Sequence, residues 1–341
     1  IKKAKGEPKR ALVFLIILTA LASAILDNVT TILLAVPMTL VVCKQLNVSP
    51  VPFILSQVFA SNIGGAATLV GDPPNIIIAS RANLSFNDFL VHMAPWVIVV
   101  MMVITPMLVF MFRKELVNTA ADRARIDKLD EKSYLKDKVL LKKSLFVLGA
   151  VMIAFVLHTA LHLEPSIVAM LGAGVLVGIS RLKPKDYAMD VEWATLVFFA
   201  GLFIMVGALV KTGALGEFAK FLKDQVGDQA SLAAMVLLFV SAILSGIIDN
   251  IPYVASMSPV VTELSAGISE QYGDVLWWAL AFGADFGGNA TIIGASANVV
   301  AIGLAHKAGI KISFWQFAKY GIPVTLVSVA MVAPYILIRY F

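Results

Sequence analysis

Apolar runs separated by short polar breaks set the plan of this chain. After a basic start, Lys2 to Arg10, an apolar run from Ala11 to Leu26 meets Asp27-Asn28-Val29-Thr30-Thr31 and resumes from Ile32 to Cys43. Each arm is short for a membrane crossing. A single helix of 33 residues would overshoot the roughly 30 Å hydrocarbon layer. The pattern therefore predicts a re-entrant hairpin over residues 11–43, with its polar tip at mid-membrane. The run from Val51 to Ser61 then leads through Asn62, Gly64-Gly65 and Gly71-Asp72-Pro73-Pro74-Asn75 to Ile76–Ser80. Adjacent glycines and prolines cannot continue a regular helix, which predicts a helix broken in mid-membrane over 51–82. A full span follows over 91–112.

Residues 113–143 are the one long hydrophilic segment, with ten Lys/Arg against six Asp/Glu, and read as a cytoplasmic linker. Beyond it the pattern predicts spans at 144–161, 165–179 and 194–210. An amphipathic stretch, Leu215 to Val226, reads as lying along the interface. A second hairpin over 230–266, a second broken helix over 275–305 and a last span over 320–340 complete the chain. The fold class is all-α and polytopic, with a first repeat over 1–112 and a second over 144–341.

The two halves repeat. Asp27-Asn28 stands against Asp249-Asn250, and Pro37 against Pro259, at an offset of 222. The block Gly287 to Asn298 matches Gly64 to Asn75 at an offset of 223. Six of the fifteen positions from Gly64 to Ile78 are identical to their partners. Fixed-offset self-similarity of this kind marks a structural repeat. Five crossings lie between the hairpins, and the odd number predicts repeats of inverted topology, a common plan in secondary transporters. Placing residues 1–10, Lys44, 113–143, 181–185 and 307–319 on the cytoplasmic side puts 22 of the 27 Lys/Arg there, as the positive-inside rule asks. The second half has three spans before its hairpin and the first has none. The N-terminal helices of the first repeat are therefore expected to be absent from this sequence, about three helices by comparison of the halves.

Composition agrees with a membrane setting and removes other classes. The chain of 341 residues is 59% hydrophobic and 14% charged, with a mean hydropathy of +0.88. Soluble domains carry about 25% charged residues. That excludes a cytosolic enzyme, a nucleic-acid-binding domain and a disulfide scaffold. Cys43 is the single cysteine and reads as a small apolar residue. His158 and His162, four apart, lack a third ligand for a metal site. No phosphate-binding loop is present, and no cofactor is implied.

Acids inside apolar segments carry the candidate chemistry, since each costs roughly 2.5–3.5 kcal/mol at a helix centre. Four fall there: Asp27, Asp72, Asp249 and Asp285. Asp72, beside two prolines, is read first as a cap for the half-helix that follows. Asp27 and Asp249, symmetric at the hairpin tips, are read as binding a proton or ligating a cation. The broken helices direct free N–H groups and carbonyls at a shared site. There Asn62, Asn75, Asn289 and Asn298, with Thr68, Thr291 and Ser296, can both donate and accept.

Leu26–Thr31 and Ser61–Asn75, together with Glu192–Phe203 and Gly287–Asn298, resemble the ArsB/NhaD permease family of the ion transporter superfamily, in the P-permease branch that includes the melanosomal P-protein. The resemblance implies an elevator transporter, a homodimer, with solute held between hairpin tips and broken helices. It implies a substrate- or ion-binding site of Asp27, Asn28, Thr30, Asn62, Gly64, Gly65, Thr68 and Asn75. The second-half counterparts are Asp249, Asn250, Asp285, Gly287, Gly288, Asn289, Thr291 and Asn298, with Na⁺ as a possible occupant of the same site.

Related dicarboxylate carriers place Ser-Asn-Thr at the tips, where this chain places carboxylates that disfavour an anionic solute. The expected function is a proton-coupled secondary transporter of a small inorganic solute, with arsenite- or antimonite-type export first and Na⁺/H⁺ antiport second. A carboxylate transporter and a passive ion channel stand as alternatives; an enzyme is not expected. The expected partners are membrane lipid, the solute and H⁺ or Na⁺, without nucleic acid, in a prokaryotic plasma membrane.

Overall fold

The computed structural model describes residues 6–117, 137–180, 193–213, 229–266 and 270–341, with isolated positions between them. Most of the predicted linker, most of the predicted interfacial stretch 215–226, and Glu192 lie outside the described residues. The first half contains α1 (Pro8–Ser23), α2 (Asn28–Leu46), α3 (Val51–Gly65), α4 (Pro73–Ala82), α5 (Phe86–His92) and α6 (Ala94–Met111). The second contains α7 (Lys138–Leu161), α8 (Pro165–Ser180), α9 (Trp193–Lys211), α10 (Ala230–Ser245), α11 (Asn250–Ala266), α12 (Glu270–Gly287), α13 (Ser296–Lys307) and α14 (Phe314–Tyr340). Among the described residues, α2, α6, α7 and α14 are long and apolar enough to cross a membrane.

The breaks have local causes. Asp27 accepts hydrogen bonds from the Val29 and Thr30 N–H groups, which stops the chain between α1 and α2 and starts a new helix at Asn28. Between α3 and α4 the chain crosses back on itself, and a Cβ on Gly65 would lie 2.6 Å from the Gly71 carbonyl oxygen. Only glycine permits that approach. Pro73 and Pro74 then open α4. In the second half a short 3₁₀ turn, Ile292–Gly294, separates α12 from α13.

Two boundaries differ from the pattern-based expectation. The stretch expected to begin a span at residue 91 is the end of a separate short helix, α5. Ser85 and Asp88 set this helix with a reciprocal capping box, and α6 begins only at Ala94. Residues 138–143, read as linker, already belong to α7, because Asp137 accepts from the Val139 and Leu140 N–H groups and nucleates the helix early.

The same contacts recur at offsets of 222 and 223. Helix α1 packs on α3, and α10 on α12. Ser23 donates to the Ser61 carbonyl at 2.7 Å, and Ser245 to the Ala284 carbonyl at 2.6 Å. Thr68 Oγ1 donates to the Ala24 carbonyl at 2.7 Å, and Thr291 Oγ1 to the Gly246 carbonyl at 2.6 Å. Each pair ties a helix break to the tip of its own hairpin. Across the halves, α2 packs on α13 and α11 on α4. The hairpin arm of each half therefore lies against the broken helix of the other, and the four tips and breaks converge.

Candidate functional site

At that convergence the core turns polar. Asn28, Asn62, Asp72, Asn75, Asn250, Asp285, Asn289 and Asn298 are each at most 2% exposed. The local structure delivers each one. Asn28 and Asn250 are the first residues of α2 and α11, immediately after the tip aspartates. Asn62 and Asp285 sit in the last turns of α3 and α12, whereas Asp72, Asn75 and Asn298 stand at or just inside the starts of α4 and α13.

Hydrogen bonds join the two halves here. Asn62 Nδ2 donates to Asn289 Oδ1 at 3.1 Å and to Asn298 Oδ1 at 2.9 Å. Asn298 Nδ2 in turn donates to the Gly288 and Thr291 carbonyls, at 2.8 and 2.7 Å, satisfying the backbone of the second break. Asn75 Nδ2 donates to the Thr68 carbonyl at 3.1 Å and does the same for the first break. Asp72 accepts from Asn28 Nδ2 at 2.8 Å and from Asn250 Nδ2 at 3.3–3.4 Å.

The remaining valences are mostly acceptors. Both oxygens of Asp285, Oδ1 of Asn28 and Oδ1 of Asn75 are buried without a hydrogen-bond donor, and one donor, Asn289 Nδ2, is buried without an acceptor. Buried polar groups are normally paired, so a cluster of lone acceptors is a concentrated exception. Among the described residues no ion pair reaches this cluster; Arg10 pairs with Glu7 at the start of α1. The arrangement offers carboxylate and amide oxygens to a positively charged or hydrogen-donating guest.

The residues read from sequence divide into two groups. The structure brings Asn28, Asn62, Asn75, Asn250, Asp285, Asn289 and Asn298 together. The others lie around them and make the following contacts. Asp27, half-buried, caps α2 and also accepts from Thr30 Oγ1 at 2.6 Å, and Thr30 is exposed. Asp249 accepts from the Ile251 N–H at 3.0 Å and from Ser296 Oγ at 2.7 Å. Thr68 and Thr291 are spent on the tip carbonyls. Gly64 and Gly287 permit helix contact, and Gly65 and Gly288 let the break loops fold back. His158 Nε2 accepts from the Phe86 N–H at 3.1 Å and so joins α7 to α5.

Asp72 reverses its expected role. It occupies the N-cap position of α4 yet makes no side-chain cap bond. A cap bonds the N–H of the second or third helical residue, and here the first two are prolines, which have none. The one available N–H, of Asn75, goes to the Asp72 backbone carbonyl at 3.0 Å. The carboxylate is left to the asparagines. The two prolines were a legible signal of this, and Asp72 belongs with the cluster.

One further test separates scaffold from site. Asp27→Ala removes the α2 cap and should lower stability by about 1 kcal/mol, whereas Asp27→Asn preserves a good cap. Thermal unfolding in detergent checks it: the midpoint falls for the alanine variant and holds for the asparagine one.

A family model described as citrate transporter matches residues 1–283. An uncharacterized transporter of Mycobacterium bovis is 53% identical over the whole of this chain and 79% of its own length. The 46 kDa membrane protein of Mycobacterium leprae is 52% identical over 99% of this chain and 79% of its own. The P protein of Homo sapiens is 33% identical over 98% of this chain, which aligns with 49% of that longer protein. The convergent breaks and tips, the apolar spans and these relatives have one reading: the chain is a membrane transporter and belongs to the CitMHS citrate transporter family.

Proposed function

We propose that the chain is a proton-coupled secondary transporter of inverted-repeat design, in the ArsB/NhaD line of the ion transporter superfamily, whose solute is a small neutral hydroxide of the arsenite type. The observation that carries this reading is the buried cluster of two carboxylates and six asparagines with unpaired acceptor oxygens. A hydroxylated neutral solute donates hydrogen bonds to such oxygens, and a proton neutralises a carboxylate that would otherwise cross a low-dielectric barrier charged. The reciprocal packing of each hairpin arm on the opposite broken helix supports the inverted arrangement. Asp72 and Asp285 are the proton-carrying groups in this reading, with Asp27 and Asp249 holding the tips.

A citrate trianion, the solute in the family's description, would meet Asp72 and Asp285 with like charge. It fits only with its charge offset by bound cations or protons. Na⁺/H⁺ antiport is the second reading. It is favoured by the four lone acceptor oxygens on Asn28, Asn75 and Asp285, because hard cations take oxygen ligands.

Flux into proteoliposomes under an imposed pH gradient tests these readings, with arsenite, Na⁺ and citrate offered in turn. Saturable arsenite movement that follows the gradient supports the proposal. Gradient-driven Na⁺ movement supports the second reading instead. Non-saturable flux indifferent to the counter-ion would indicate a channel and overturn both.

A further inference from the structure

We infer that Asp72 is a shared clamp on both hairpins: one buried carboxylate, supplied by the break of the first half, holds the tip asparagine of each hairpin and so closes both tips over the cluster together. This deepens the transporter reading and rests on it, since it takes the two hairpins as the gates.

The geometry is specific. Asn28 and Asn250 follow the two tip aspartates at equivalent positions, and both point their Nδ2 groups at the same carboxylate. Asp72 is fully buried, and its carboxylate makes no bond to its own helix. Its position has no acidic partner in the repeat: at the offset of 223 the second half has Ala295, and the second buried acid, Asp285, stands instead where the first half has Asn62. The clamp is thus a single, asymmetric element acting on two symmetric tips. A low local dielectric strengthens these hydrogen bonds.

Three other carboxylates, those of Asp285, Asp27 and Asp249, lie within electrostatic reach of Asp72, while no ion pair among the described residues reaches it. The two amides are therefore the donors that hold its oxygens. A solute or proton that engages the Asp72 carboxyl group competes with both amides at once, which links occupancy of the cluster to release of the tips. The bond from Asn28 is shorter than those from Asn250, so the first tip is the more firmly held.

Hydrogen–deuterium exchange of the protein in lipid nanodiscs tests the clamp without reference to transport. Asp72→Ala should accelerate amide exchange about tenfold in both tip segments, 24–31 and 246–253, as a buried amide donor left unpaired predicts. Asn28→Ala should accelerate only 24–31, and Asn250→Ala only 246–253, by a smaller factor. Should Asp72→Ala fail to fold, the two asparagine variants decide the matter alone. The clamp is overturned if either tip keeps wild-type protection in Asp72→Ala. It is equally overturned if Asn250→Ala leaves 246–253 unchanged or loosens both tips alike. Flat exchange in a protein that still transports solute removes the clamp and spares the functional reading. The expected exchange pattern in a wild-type chain that moves no solute does the reverse.

Discussion

Asp285→Asn is expected to leave a folded protein whose solute flux no longer responds to a pH gradient. Asp285 is fully buried, both of its oxygens lack a donor, and the Asn75 side chain lies beside it. The change is nearly isosteric, and it fixes the neutral state that protonation would otherwise confer. With the membrane potential held at zero and one proton exchanged per neutral solute, a gradient of about two pH units can sustain roughly hundredfold accumulation, since each factor of ten corresponds to about 1.4 kcal/mol. In the variant that ratio should collapse to about one while downhill exchange of solute persists. Accumulation equal to wild type would eliminate Asp285 as the proton site and pass the role to Asp72. Asp27→Asn should accumulate solute normally, because its carboxylate is committed to capping α2.

Gly64→Ala and Gly287→Ala should each cause a large loss of stability for a single added methyl. A Cβ at Gly64 would lie 2.6 Å from the Cα of Ala20, and one at Gly287 would lie 2.7 Å from the Cα of Ala242. The obstructing atoms belong to the backbone of the first hairpin arm in each half, so no rotamer change relieves them. Overpacking of this kind costs about 1–3 kcal/mol, and rigid backbone neighbours place it at the upper end. Separating α1 from α3 would also displace the Ser23–Ser61 contacts that sit beside the cluster. Gly303→Ala is the control, for nothing lies within 4 Å of its added methyl. There alanine's better helix propensity should raise stability by up to about 1 kcal/mol. Thermal melting followed by size-exclusion fluorescence distinguishes the three variants. Equal midpoints for Gly64→Ala and Gly303→Ala would show that the α1–α3 approach is looser than described.

Much of the architecture was legible because membrane segments obey severe local rules. Backbone polar groups must be satisfied within the segment, so an Asp-Asn pair or a Gly-Asp-Pro-Pro block inside an apolar run has few structural outcomes. The elements found at residues 28, 65, 73, 250 and 287 begin or end where these residues stand. Boundaries governed by side-chain caps outside apolar runs were less legible. Asp137 draws α7 six residues into a stretch that composition marks as linker, and the Ser85–Asp88 capping box sets off α5 from α6.

Which acids face the cluster was not a local property. Along the chain, Asp27, Asp72, Asp249 and Asp285 all read as lone carboxylates in apolar surroundings, and symmetry favoured the two at the hairpin tips. Residue spacing alone determined the breaks, the repeat and the set of asparagines, since helix periodicity and glycine or proline chemistry act within a few residues. Only the packing of α2 on α13 and of α11 on α4 decided that the tips give the cluster their asparagines, while the tip aspartates cap their own helices locally. The same packing brings Asn28 and Asn250, which are 222 residues apart, to one carboxylate. A hydrogen bond depends on where the donor finally lies, and for Asp72 the donors lie on two hairpins that meet only in the folded chain.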